Sequence, residues 1–149
     1  MPSVYLDHQA ATPLLPEAFE AMRPYFTAQF GNASSLHSHG LGARDALAKA
    51  REQMAAFIGA ESAEDILFTS DGTESANLAI KGAAYANQKR GNHIVVSATE
   101  HPAVLRSVEF LETQGFTSTQ VKVDANGLVN PYAVREAMTD QTFLSPCIM

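Results

Sequence analysis

The sequence predicts an α/β fold, a mainly parallel sheet covered by helices. Three observations carry that expectation. Short runs of β-forming residues, roughly four to six long, alternate with helix-like stretches of ten or more. Strands separated in this way need crossover connections, which favour parallel pairing with both faces covered. No repeat, low-complexity tract, charge block or linker interrupts the 149 residues, so a single unit over 1–149 with no internal boundary is expected.

The elements follow in order. Val4-Tyr5-Leu6 suits a strand or an extended arm. Pro16 opens a helical stretch over 17–30, where Ala18, Met22 and Phe26 recur every fourth residue. Pro24 inside that stretch predicts a kink or an early stop. Gly31 to Ser35 has loop chemistry. The clearest helix follows, with Leu41, Leu47, Ala50, Met54, Phe57 and Ile58 on one face and Gly59 as its stop. Residues 65–69 read as a strand and 75–89 as an alanine-rich helix. Residues 93–97 (His-Ile-Val-Val-Ser) read as a buried strand, and 102–113 as a helix ended by Gly115. A third strand is expected at 119–123, with a turn at 124–127. A helix over 131–138 and a fourth strand starting at 142 complete the series.

Composition excludes several classes. Ten Lys and Arg against sixteen Asp and Glu give a net charge of −6 with no basic stripe, which argues against a nucleic-acid partner. No run of about twenty apolar residues exists to span a membrane as a helix. The N-terminus lacks the pattern of a signal peptide, so a cytoplasmic location is expected. The single cysteine, Cys147, rules out a disulfide framework and the usual cysteine-based zinc sites. His37 and His39 have no third ligand at a sensible spacing, His8 lies in the arm and His93 opens a strand, so no metal site is assigned.

In parallel α/β sheets, ligands bind at the carboxyl ends of strands, where the next helices begin. Two such junctions stand out. At Ser70-Asp71-Gly72-Thr73-Glu74-Ser75 a Gly-containing turn leads into a helix. Unpaired backbone N–H groups and the positive end of the helix dipole meet there, which suits a phosphate. The same hexapeptide also reads as a capped helix, with Asp71 as N-cap and Glu74 closing a capping box. At Thr99-Glu100-His101-Pro102, proline starts a helix and His101 precedes it. A histidine there can stack on a flat ring, carry a proton or cap the helix.

Four segments in this order resemble the N-terminal part of the cysteine desulfurases, pyridoxal-phosphate (PLP) enzymes of the class V aminotransferase group. They are Tyr5-Leu6-Asp7-His8-Gln9-Ala10-Ala11-Thr12-Pro13, Phe30-Gly31-Asn32-Ala33-Ser34-Ser35-Leu36-His37, Phe68-Thr69-Ser70-Asp71-Gly72-Thr73-Glu74-Ser75-Ala76-Asn77 and Thr99-Glu100-His101-Pro102-Ala103-Val104. The resemblance runs from about Val4 to about Thr142. It implies part of the large domain of a fold type I PLP enzyme. It also implies that Gly72 and Thr73 hold the cofactor phosphate, with Glu74 and Ser75 shaping the helix start. His101 would be both a cofactor-binding and a catalytic residue, stacked on the pyridine ring. Asn32 and His37 would lie in a loop near the active site and the dimer partner, and Asn77 would either orient the phosphate turn or serve as an ordinary helix residue. The family converts L-cysteine to L-alanine and passes the sulfur on as a persulfide, a step that feeds iron–sulfur cluster assembly. Its members are homodimers.

That chemistry also requires a Schiff-base lysine, an aspartate on the pyridine nitrogen and a nucleophilic cysteine. In the family all three lie further along the chain. Lys49, Lys81, Lys89 and Lys122 are the only lysines, none in the family's Ser-x-His-Lys setting, and all fall on stretches read as helix or strand surface. No acidic residue follows Asp140. Cys147 follows Pro146 where the family would continue a core strand, so the tail reads as the scar of a truncation or frameshift. Part of such a sheet would leave open strand edges and apolar faces. The expectation is a truncated desulfurase-like chain, inactive alone, that self-associates or pairs with a longer family member. A non-catalytic module bound to a full-length subunit, or a fragment of a selenocysteine lyase or another class V relative, remain the alternatives.

Overall fold

The computed structural model describes residues 3–8 and 10–145. The sequence readings at Cys147 and Pro146 lie outside them. The chain divides into two compact units, residues 1–67 and 68–149.

The first unit is helical. Helix α1 spans Pro16–Thr27 with proline as its first residue, and it continues through Pro24 for three more residues. The Pro24 carbonyl accepts from the N–H groups of Ala28 and Gln29 and closes the end. Proline therefore shortens the expected helix without breaking it at once. Helix α2 spans Ser38–Ile58. Its stop is as expected: Gly59 takes a left-handed conformation, φ 72°, and its N–H reaches Ala55 O. A single 3₁₀ turn follows at Ala63–Asp65.

The strand expected at 65–69 does not form. Ile66 is extended and buried, but no described residue pairs with 66–69 in a ladder, and Leu67 and Phe68 stay exposed. Extended backbone becomes a strand only when a neighbour takes up its hydrogen bonds.

The second unit carries the sheet. Helix α3 (Gly72–Asn87) precedes strand β1 (His93–Ser97), helix α4 (Pro102–Thr113), strand β2 (Thr117–Val121), helix α5 (Pro131–Ala137) and strand β3 (Thr142–Leu144). The strand order is β2-β1-β3, and both pairings are parallel. Strand β2 starts two residues earlier than its apolar pattern suggested. Register explains this: Thr117 lies opposite His93, and Asn92 O accepts from Thr117 N at 2.8 Å. Val123 keeps one antiparallel bridge to Val129 across the turn at Asp124.

The core lies between β1 and the packed pair α3 and α4. Ile94 and Val96 meet Ile80 and Ala84 of α3, Val108 and Leu111 of α4, and Phe116. Every residue of β1 is buried, as befits a central parallel strand. His93, Val95 and Ser97 take the opposite face by the two-residue period. Gly91 lets β1 begin: a side chain there would collide with the backbone of Gln141, just before β3. This architecture sets the start of α4 just beyond the carboxyl end of β1, where a ligand site is expected.

Candidate functional site

The two junctions converge on one cleft. Gly72, Thr73 and Ala76 from the first turns of α3 face His101, Ala103 and Val104 from the start of α4 across a cavity of about 440 Å³. That volume lies within the range of small-molecule clefts, ~300–1,000 Å³.

The start of α3 is held by side chains. Asp71 is the N-cap, its Oδ1 accepting from Glu74 N at 2.8 Å. Glu74 Oε2 reaches back to Ser70 N at 2.6 Å, one residue beyond the reach of a standard capping box. Asp71 therefore caps the helix as expected, whereas Glu74 closes on Ser70 and not on the N-cap residue itself. Capping does not exhaust the turn. The N–H groups of Gly72 and Thr73 have no acceptor among the described residues, and open space lies where a Gly72 side chain would be. Thr69, Ser75 and the Asp71 carbonyl share hydroxyl hydrogen bonds of 2.5 to 3.1 Å beneath the turn. The backbone N–H of Ser70, with its side chain adding to the effect, holds the Glu74 carboxyl below the usual glutamate range; the Asp71 charge opposes this.

His101 is exposed and caps α4. Its Nδ1 accepts from Ala103 N at 3.1 Å, and its carbonyl accepts from Val104 N and Leu105 N. With Nδ1 used as an acceptor, the proton of a neutral ring sits on Nε2. The cap fixes the ring at the cleft rim. Pro102 costs the helix nothing there, because an N–H at its first position would have no intrahelical partner.

Other sequence candidates have local roles in the first unit. Asn32 Oδ1 accepts from Ser34 N at 2.9 Å, and His37 Nδ1 caps α2 through Gly40 N at 3.4 Å. His39 stacks on Phe30 with ring centres 5.2 Å apart. Among the described residues, no group of three or more His, Cys, Asp or Glu side chains could hold a metal ion.

Two features escaped sequence reading. Ala76, Ala103 and Val104 line the cleft, and only their small size where two helix starts meet could have flagged them. Lys81, expected on the helix surface, is half-buried. Its Nζ donates to Asn77 Oδ1 at 2.6 Å and lies 4.5 Å above the Phe110 ring.

The fit to a pyridoxal-phosphate group rests on donor chemistry. Free N–H groups at the positive end of α3 suit a phosphate ester, and an imidazole at the rim suits a flat aromatic ring. The residues present fit.

A parallel sheet whose following helices open on such a cleft belongs to the α/β class of cofactor and small-molecule folds. Residues 4–145 match the aminotransferase class-V family, and the chain belongs to that family. Its relatives there are cysteine desulfurases. It is 48% identical over 141 residues to the cysteine desulfurase IscS of Dictyoglomus turgidum, covering 95% of this chain and 36% of that enzyme. It is equally identical, over 142 residues, to the IscS of Methanosarcina thermophila, covering 95% and 35%. Among solved structures, a NifS-like protein superposes with a TM-score of 0.90 at 34% identity, over 97% of this chain and 39% of that one. SspA in complex with cysteine does so at 0.88 and 36%, over 97% and 42%. The chain is thus cysteine desulfurase-like and spans little more than a third of the length of these relatives.

Proposed function

We propose that the cleft is part of a pyridoxal-phosphate site. In this reading the chain is a cysteine desulfurase-like segment that supplies the phosphate turn and the stacking histidine. The observation that carries the reading is the joint lining of one cleft by Gly72, Thr73 and His101, the residues matching the family's cofactor motifs.

When bound, the cofactor supplies an electron sink for chemistry at the substrate carbon. The work of this chain's own residues is narrower. The N–H groups of Gly72 and Thr73 would donate to phosphate oxygens, helped by the α3 dipole. His101, oriented through Nδ1 by Ala103, would lay its ring against the pyridine and leave Nε2 available to hold a proton. The Schiff-base lysine, the pyridine-nitrogen aspartate and the sulfur-accepting cysteine are not supplied by any motif in this sequence. The chain alone is therefore expected to release no sulfide from L-cysteine.

The test is an amide NMR titration with pyridoxal phosphate and with pyridoxal. Shifts at Gly72, Thr73 and His101 with the phosphate ester, much weaker with pyridoxal, support the reading. Equal responses to both compounds, or shifts confined to other residues, contradict it.

Association is the second part of the proposal, with another copy or with a longer family member. The apolar surface favours it: Phe68, Leu78, Tyr85, Leu128, Tyr132 and Met138 of the second unit are all exposed. Strands β2 and β3 also form the two edges of the sheet among the described residues. Co-purification with a full-length desulfurase supports pairing, and a stable monomer that ignores one counts against it.

A further inference from the structure

We propose that Lys81 is a positioning residue for the phosphate turn and acts through Asn77. This rests on the reading of Gly72 and Thr73 as phosphate donors.

The argument starts from the peptide between Thr73 and Glu74, which is held at both ends. Its carbonyl accepts from Asn77 Nδ2 at 2.9 Å, and its N–H donates to Asp71 Oδ1 at 2.8 Å. With that plane clamped, the N–H groups of Gly72 and Thr73 remain the free donors of the turn. A carboxamide can face either way, with oxygen or nitrogen toward a given neighbour. The Asn77 amide works as a clamp only when its nitrogen faces the Thr73 carbonyl; reversed, two oxygens would oppose each other. Lys81 decides the orientation. An ammonium has donors and no acceptor, so its 2.6 Å contact requires the Asn77 oxygen on its side and leaves the nitrogen for Thr73.

Lys81 is itself fixed from α4, the helix whose start lines the other side of the cleft. Its Nζ lies 4.5 Å above the ring of Phe110 on α4, a cation–π contact that holds a flexible four-carbon chain in place. The helix that starts at His101 therefore steadies, through Phe110, Lys81 and Asn77, the turn that faces His101.

The experiment titrates the whole chain with inorganic phosphate and follows the Gly72 and Thr73 amides. The variants are Lys81→Met, Asn77→Ala, the double variant and Lys81→Arg, each with its melting temperature. Lys81→Met removes a positive charge near an anion, so weaker binding in that variant alone could be a charge effect. Asn77→Ala keeps the charge and breaks the relay. The relay predicts that each single variant loses about 3- to 10-fold in affinity. It also predicts that the double variant loses no more than either single one and that Lys81→Arg stays within about 2-fold. Should Lys81→Met fail to fold, Asn77→Ala decides. Wild-type affinity in Asn77→Ala, or additive losses in the double variant, overturns the relay and leaves the phosphate reading standing. No response of Gly72 and Thr73 in the wild-type chain overturns both.

Discussion

At the scale of single residues, two caps decide whether the cleft is pre-formed. His101 holds α4 by one ring nitrogen and presents its face at the rim. His101→Ala should cost about 1 kcal/mol of unfolding free energy, the usual worth of an N-cap. His101→Asn should restore that stability, because asparagine caps well, yet not the response to pyridoxal phosphate, because it has no ring to stack. Urea melts beside the ligand titration separate the two roles; full binding by His101→Asn would remove the ring from the site. Glu74 gives a pH signature. Its carboxyl is acidified in the folded chain by the Ser70 N–H, so its folded pKa lies below its unfolded one. The stabilisation is then fully present above the unfolded value and is lost as pH falls through the folded value. The ¹³C titration of the Glu74 carboxyl should show a midpoint below that of an unstructured glutamate. Glu74→Gln should abolish the acid-side loss attributable to this cap, and an unshifted midpoint would contradict the assigned bond.

At the scale of elements, β1 organises the second unit. Its His93 ring is buried and bonded on both nitrogens, to Thr142 Oγ1 at 2.7 Å and Thr119 Oγ1 at 2.9 Å, tying the central strand to both neighbours. On the other face Leu111 of α4 is fully buried among Ile94, Val96 and Phe116. Leu111→Ala should destabilise the chain by about 2–5 kcal/mol. Amide exchange in β1 should rise more than in α2, since β1 lies in the same core; uniform change would deny that the sheet and α4 form one cooperative core. The elements also show where sequence was legible. The β1 segment, the helix behind Pro102 and the Gly59 stop could be read, because burial, proline and glycine act locally. The run 65–69 could not, because a strand depends on a partner elsewhere in the chain. The start of β2 was missed by two residues for a similar reason: register with His93, not local hydrophobicity, set it.

At the scale of the whole molecule, the chain comprises two compact units and spans little more than a third of its desulfurase relatives. The family was legible from four short motifs, each weak alone, because together their order and separations are specific. The cleft itself was half legible. The family resemblance singled out Gly72, Thr73 and His101, whose roles turn and cap chemistry allows without requiring, whereas Ala76, Ala103, Val104 and the Lys81 relay depend on how α3 packs against α4. No helix among the described residues is long and apolar enough to cross a membrane. The exposed apolar side chains of the second unit predict self-association at raised concentration, read as a rising sedimentation coefficient. A coefficient that stays constant with concentration would count against it. The central claim, a phosphate-cofactor cleft between two helix starts, is tested most directly by titrating the chain with pyridoxal phosphate against pyridoxal by amide NMR. The account predicts shifts centred on Gly72, Thr73 and His101 that require the phosphate, and shifts elsewhere or independent of the phosphate would contradict it.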